Sequence, residues 1–454
     1  MKSAALVLVA IAGLVACRNG SADSRVRVYA DVDRPVVVAD RDATIVIKVG
    51  LTGICEAWKH ERPPLNVAVV LDKSGSMQAD SKMENAKRGA IEVVERLEDC
   101  DVMSLVVYDT RPRVVFPAQT VRDKDRLIEM IRNIHAGGNT ALYGGVRLGQ
   151  DEVRKHISWE YENRIILLSD GLANVGPSAT EDLAYLGRAL GEEDISVTTI
   201  GVGLDYNEDL MTALASESGG NAYFAASGRD LPRIFAEEIG EAMTVAARDV
   251  RINIHCYEGV RPIAVIGREG DISGRRMSVT VGKLFGEHEK YALFEVQVPR
   301  GTSGHRLNVA HVSVDYADPR TNEKMQDSCP VAITYDDDEN LALERRNKQI
   351  LKEAALTKNS DVKREAVKLA DRGDYAAAAS LVARGGIELE KAATACDKDE
   401  EMLREAKACG AVSQDITAND GMTKYQRKSV VNRIYTQTTQ QTYVPQEDKK
   451  EDGK

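Results

Sequence analysis

The rhythm of hydrophobic and polar positions changes three times along this chain. Between residues 25 and 54 apolar side chains fall on alternate positions: Val26 and Val28, then Val36 and Val38, then Ile45, Ile47 and Val49. Period two turns one face inward and predicts β-strands. From Asn66 the apolar residues come in blocks. Val67-Ala68-Val69-Val70-Leu71 is the continuous run that a strand buried on both faces requires, Val102–Tyr108 is a second apolar strand, and Arg164–Leu168 and Ser196–Val202 are read as further strands. Between the first two, Met83, Ala86, Ala90, Val93 and Leu97 recur every three or four residues, which predicts an amphipathic helix. Further helices are predicted near 125–134, 141–155, 181–190, 207–216 and 231–243, with a short strand at 222–224. Strand–helix alternation of this kind predicts a doubly wound parallel sheet with helices on both faces.

After Thr244 period two returns, at Val250, Ile252 and Ile254, then Ala292, Phe294 and Val296, then Val312, Val314 and Tyr316. The simplest architecture joins residues 25–64 and 246–336 in one β-sandwich, with an α/β unit at 65–245 inserted into it. Residues 337–410 are predicted as an α-helical region, in which Gly373-Asp374 marks a helix stop followed by an N-cap. The stretch around Asp371-Arg372-Gly373-Asp374-Tyr375 resembles a tetratricopeptide-type hairpin, although no repeat accompanies it. Residues 411–454, rich in Thr and Gln, are expected to be a disordered tail.

The start of the chain changes the picture of where it works. Lys2 precedes an apolar stretch, Ser3 to Ala16, that is too short to span a bilayer and ends in Leu14-Val15-Ala16-Cys17. This resembles a bacterial lipobox. It implies a signal peptide at 1–16, acylation of Cys17 with palmitate-type chains, and a polar tether at 17–24. The expected location is the bacterial cell envelope, lipid-anchored and periplasmic or surface-exposed. Arg18 after the Cys resembles outer-membrane rather than inner-membrane sorting. The formal net charge of −11 argues against nonspecific nucleic-acid binding. An exported chain permits disulfides among Cys55, Cys100, Cys256, Cys329, Cys396 and Cys409. The expected pairs are Cys55–Cys100, Cys256–Cys329 and Cys396–Cys409.

The chemistry lies where the first apolar run ends. Asp72-Lys73-Ser74-Gly75-Ser76 presents a carboxylate and two hydroxyls on alternate positions. Doubly wound sheets place their sites at the carboxyl ends of strands. Two other loops reach the same end: Gly137-Gly138-Asn139-Thr140, and Asp170 directly after Ile165–Ser169. Pooled, Asp72, Ser74, Ser76, Thr140 and Asp170 supply two carboxylates and three hydroxyls. An all-oxygen set suits a hard cation, Mg²⁺, Mn²⁺ or Ca²⁺, over Zn²⁺ or Cu²⁺. With only two formal negative charges around it, such a metal stays electrophilic.

These three motifs, in this order on these elements, resemble the metal-ion-dependent adhesion site of von Willebrand A-type domains. The resemblance covers about residues 65–245, and the flanking strands are similar to bacterial relatives of inter-α-trypsin inhibitor heavy chains and calcium-activated chloride channel regulators. It implies a metal held by the five residues and a protein partner that offers an exposed Asp or Glu to it. It also implies that the helix predicted at 231–243 shifts when a ligand completes the coordination. Both connections to the sandwich are expected to leave from the sheet end opposite the metal.

Other motifs carry less. His60-Glu61 lacks the second His of a metalloprotease, and Gly144-Gly145 with Gly149 does not follow a strand as a dinucleotide loop must. Arg372-Gly373-Asp374 belongs to a helix turn, and Asp336–Glu339 to a solvated linker. Two alternatives to partner binding remain open at this point. One is a metal-assisted hydrolase, for which His135 is the candidate base. The other is a structural envelope protein whose metal only stabilises it.

Overall fold

The computed structural model describes the backbone of residues 15–16 and the whole of residues 25–54 and 62–441. Cys17, the tether that follows it and Cys55 lie outside the described residues. A two-residue strand β1 (Val15–Ala16) pairs with β2 (Val26–Val32), followed by β3 (Val36–Val38) and β4 (Ala43–Gly53).

The inserted unit then runs β5 (Leu65–Asp72), α1 (Lys82–Arg96), β6 (Val102–Tyr108), β7 (Arg113–Thr120), α2 (Lys124–Arg132), α3 (Leu142–Arg154), β8 (Glu162–Ser169), α4 (Thr180–Glu192), β9 (Ile195–Val202), α5 (Glu208–Ser218), β10 (Ala222–Ala225) and α6 (Leu231–Ala242). Its sheet has the order β10-β9-β8-β5-β6-β7. Every residue of β5, β6, β8 and β9 is buried, the polar Glu162, Asn163 and Arg164 of β8 and Ser196, Thr198 and Thr199 of β9 included. One strand escaped the sequence reading. β7 pairs antiparallel with β6 at the sheet edge, and its Pro117 is tolerated because an edge strand leaves half its N–H groups unpaired.

The sandwich continues with β11 (Val245–Cys256), β12 (Arg261–Ile266), β13 (Asp271–Ser273), β14 (Arg276–Phe285), β15 (Glu289–Val298), β16 (Arg306–Ala317) and β17 (Lys324–Asp336). β4 pairs with β15 over ten residues, and β3 pairs with β17. The segments before and after the insertion are therefore interleaved in both sheets, β1-β2-β4-β15-β12 and β13-β14-β11-β16-β17-β3. Val28, Ile45, Ile47, Ile252, Phe294 and Val314 share the core between them.

Helices α7 (Glu339–Glu344), α8 (Lys348–Asp371), α9 (Tyr375–Ala395), α10 (Glu400–Ala418) and α11 (Lys424–Thr439) complete the chain. Gly373 takes φ +83° after α8, and the Asp374 carboxylate accepts a hydrogen bond from Ala377 N, as the stop-and-cap reading requires. The expected disorder from residue 411 is corrected over most of that stretch. α10 runs on to Ala418, and α11 begins with a capping box of Thr423 and Gln426. Helix α11 docks back on the α/β unit. Lys428 Nζ donates to the Glu208 carboxylate, Arg427 pairs with Asp209 at 2.6 Å, and Tyr435 packs on Ala215 and Ala222. Tertiary contact supplies the order that Thr and Gln composition does not.

The disulfide pairings are also corrected. Cys100, Cys256, Cys396 and Cys409 are all free thiols. Cys256 lies on β11 and Cys329 on β17, with β16 between them. Two strand spacings come to roughly 9.6 Å, beyond the roughly 7 Å that a disulfide bridges. Cys409 sits well inside α10, facing the Asn359 side chain, whereas Cys396 caps α9 and donates to Lys348 O.

Candidate metal centre

The parallel register brings the two carboxylates together. β5 and β8 are neighbours with Leu71 opposite Leu168, so Asp72 and Asp170 leave adjacent strands at the same end. β6 lies on the other side of β5. The chain therefore departs from β5 on one side and returns by β8 on the other, which opens a crevice at this point.

Each loop is fixed from beneath. Ser74 N donates to Asp72 Oδ1 at 2.8 Å, and Ser169 Oγ donates to Asp72 Oδ2 at 3.0 Å. Gly75 N donates to Gly138 O at 3.0 Å, and Gly137 N to Lys73 O at 2.6 Å, which draws the third loop onto the first. Gly138 sits at φ +91°, with an ideal Cβ only 3.0 Å from Asp109 Cβ, so this turn requires glycine. Thr140 N donates to Asn174 Oδ1 at 2.9 Å.

The predicted side chains converge. Ser74 Oγ lies 3.0 Å from Ser76 Oγ, and Ser76 Oγ donates to Asp170 Oδ1 at 2.6 Å. Gly171 has Ser76 Oγ and Thr140 Oγ1 as the neighbours of its ideal Cβ position, at 3.5 and 3.6 Å, which places the threonine hydroxyl on the same cluster. Asp72 and Asp170 are fully buried, while Ser76 is exposed at the rim. All five sequence-predicted residues share one site.

Electrostatics leave that site short of positive charge. Burial pushes the Asp72 carboxyl up to about 6, and the neighbouring Asp170 pushes it the same way, against the hydrogen bonds from Ser74 and Ser169. One cation is already present. Lys82, at the start of α1, places Nζ 2.8 Å from Asp170 Oδ2. Lys73 turns away and pairs with Asp109. Among the described residues there is no cluster of three or more His, Cys, Asp or Glu; the cluster here is two carboxylates plus three hydroxyls. That donor set, converging on a face open at Ser76, fits a hard divalent cation. His135 is exposed and forms no hydrogen bond with any of the five.

Sequence reasoning missed Ser169, Asn174 and Lys82. Ser169 carried a signal, because it directly precedes Asp170 on a strand whose end forms the site. Lys82 carried only its place at the start of the first helix.

Comparison with known proteins agrees with this fold. Residues 66–237 match the family model of the von Willebrand factor type A domain. The uncharacterized protein sll0103 of Synechocystis is 26% identical over 62% of this chain and 68% of its own length. Uncharacterized protein YfbK of Escherichia coli is 26% identical over 43% of this chain, which spans only 34% of that relative. Inter-alpha-trypsin inhibitor heavy chain H3 of Mesocricetus auratus is 25% identical over 35% of this chain, which spans 19% of that relative. Among solved structures, a von Willebrand factor type A protein from Catenulispora acidiphila superposes with TM-score 0.65 at 16% identity, covering 92% of this chain and 98% of that one, a likeness of fold. The chain is a von Willebrand factor type A (VWA) domain protein with bacterial relatives, its VWA domain set into a β-sandwich and followed by helices.

Proposed function

We propose that this chain is an envelope-anchored protein that binds a protein partner through a divalent metal held by Asp72, Ser74, Ser76, Thr140 and Asp170. VWA domains are in general binding modules that hold divalent metals, and the convergence of five oxygen side chains at an exposed rim carries the reading here. Mg²⁺, with Mn²⁺ or Ca²⁺ as substitutes, would supply a Lewis acid with room for one more oxygen ligand. Asp72, Ser74 and Ser76 hold it from the first loop, and Thr140 and Asp170 close the ring. The partner offers an Asp or Glu carboxylate, whose charge the site lacks. Acylation at Cys17 ties the chain to the envelope membrane and leaves this face free.

Two observations favour binding over metal-assisted hydrolysis. His135 makes no bond to the cluster, and the buried carboxylates are already engaged by Ser74, Ser169, Ser76 and Lys82 rather than aimed at a water. The site also reads as a clamp more than a lever. Helix α6, whose shift the family resemblance implied, has Glu238 in a buried ion pair with Arg164 of β8, and Phe235 against Gly89 of α1. Sliding α6 along its axis would break both.

The test is a pull-down from envelope extract with Mg²⁺ or chelator, wild type beside Asp72→Ala. A partner retained only by wild type with Mg²⁺ supports the reading. Equal retention in all four arms overturns it.

A further inference from the structure

Two leucines stand beside the metal centre. Leu172, 59% exposed, and Leu204, 39% exposed, are the large apolar side chains that the carboxyl-end loops hold out to solvent among the described residues. β8 and β9 are neighbours with Ser169 opposite Gly201, so each leucine follows a paired position by three residues and the two loops stand side by side. Both loops border the cluster. Gly171, directly before Leu172, lies against Ser76 Oγ and Thr140 Oγ1. Gly203, directly before Leu204, has Lys82 Nζ 3.4 Å from its ideal Cβ position.

Neither loop is loose. Asn174 N and Val175 N donate to Thr140 O at 3.1 and 3.3 Å, and Asn174 Oδ1 accepts from Thr140 N, which fixes the first loop at a metal-site residue. Helix α11 fixes the second: Lys424 pairs with Asp205 at 2.8 Å, and Lys428 Nζ donates to Tyr206 O at 2.6 Å. A single exposed apolar side chain is ordinary. Two of them on adjacent, anchored loops form a preorganised apolar patch, whose burial requires little further ordering of the backbone.

The other side of the cluster is charged. The loop after β6 carries Arg111 and Arg113, both exposed, and its one carboxylate, Asp109, is taken by Lys73. Sheet order therefore sets out a line: Leu204 beyond β9, Leu172 beyond β8, the first metal loop beyond β5, and Arg111 beyond β6. Three strand spacings make this line roughly 14 Å long, which about four or five extended residues cover.

We propose that Leu172 and Leu204 form an apolar subsite that recognises an extended acidic segment of the protein partner, an inference that rests on the metal-dependent binding proposed above. Side chains two apart on an extended segment point the same way and lie roughly 7 Å from each other. With the acid on the metal, the side chain two residues away reaches the leucines. The segment therefore reads Asp or Glu, any residue, then a bulky apolar residue, in either chain direction. Charge sets its polarity: apolar towards β9, and further acids towards Arg111 and Arg113.

A random nonapeptide library displayed on phage is the probe, panned on the full chain in Mg²⁺ and eluted with chelator. The eluted sequences should share Asp or Glu with Leu, Ile, Met or Phe two positions away. A synthetic peptide of the enriched sequence should lose at least about tenfold in affinity when its apolar residue is replaced by Ser, a comparison that needs wild-type protein alone. Leu172→Ser and Leu204→Ser should each weaken the original peptide by a similar factor. Chelator-eluted peptides without the apolar residue, or bound equally by folded leucine variants, overturn the subsite and leave the metal reading standing. Peptides retained equally in chelator, or none recovered, overturn the metal reading and the subsite with it.

Discussion

The two ends of the VWA sheet hold buried charge in opposite ways. At the carboxyl end, among the described residues, Asp170 pairs with one cation, Lys82, and Asp72 with none. At the amino end Glu162 is surrounded by Lys283 at 2.9 Å, Arg164 at 3.3 Å and Arg248 at 3.7 Å. Glu238 there accepts from Arg164, from Asn221 at 3.0 Å and from Tyr223 at 3.1 Å. Burial would raise the Glu162 carboxyl, yet the three cations outweigh it and hold it below the usual range. Asp72 moves the other way. Charges that satisfy one another are structural, and here they bind the domain to the sandwich, since Lys283 and Arg248 belong to the sandwich strands β14 and β11. The charge left short of a partner at the carboxyl end is what the proposed metal would meet.

The sharpest way to break this contrast is to unbalance the compensated end. Arg164→Met leaves Glu238 and part of the charge on Glu162 buried without their partner, and should cost about 3–5 kcal/mol of stability in chemical denaturation. Asp170→Asn at the other end should cost far less without metal. Comparable losses would erase the distinction.

The pH dependence should have opposite sign at the two ends. Glu162 has a lowered folded value, so its contribution is present above the unfolded carboxylate range and is lost as pH falls. The gap between wild type and Glu162→Gln should close on acidification. Asp72 is raised to about 6, so in chelator its charge penalises the folded state as pH rises from about 4 to 6. Asp72→Asn should therefore gain on wild type over that interval, by up to about 2–3 kcal/mol, and saturating Mg²⁺ should remove the advantage. Urea titrations across pH 4 to 7, with and without metal, measure both.

Metal affinity sharpens the comparison further. With Asp72→Ala a single carboxylate remains, and Mg²⁺ or Mn²⁺ binding should fall more than about tenfold by calorimetry. Lys82→Met is expected to act in the opposite direction and by less. Removing the tethered cation frees Asp170 Oδ2, so affinity should rise about three- to tenfold. Weaker binding in that variant would mean that Lys82 positions Asp170 for the metal instead of competing with it.

The centre was legible because its parts are local and ordered. D-x-S-x-S presents its oxygens within five residues, and Asp170 follows a strand whose apolar run ends one residue before Ser169. Strand ends need only be parallel and adjacent for these loops to meet. The disulfide pairs failed because a pairing depends on which strand lies between two cysteines, and sequence spacing does not report that β16 separates Cys256 from Cys329. The tail failed for a related reason. Nothing in Thr, Gln and scattered charge marks Tyr435 as a residue that buries itself against Ala215 and Ala222.

The sequence by itself determined the elements and the donor atoms. Its periods of two, of continuous apolar blocks and of three-to-four specify strands and helices through how each exposes its faces, and residue type alone decides that the ligands proposed for the metal are hard oxygens. Tertiary structure decided everything that depends on pairs far apart in the chain. It put Lys82 on Asp170, enclosed Glu162 among Arg164, Arg248 and Lys283, and laid α11 against β10. Whether a buried charge is satisfied is a property of its neighbours in space, and a residue's neighbours in sequence do not reveal them.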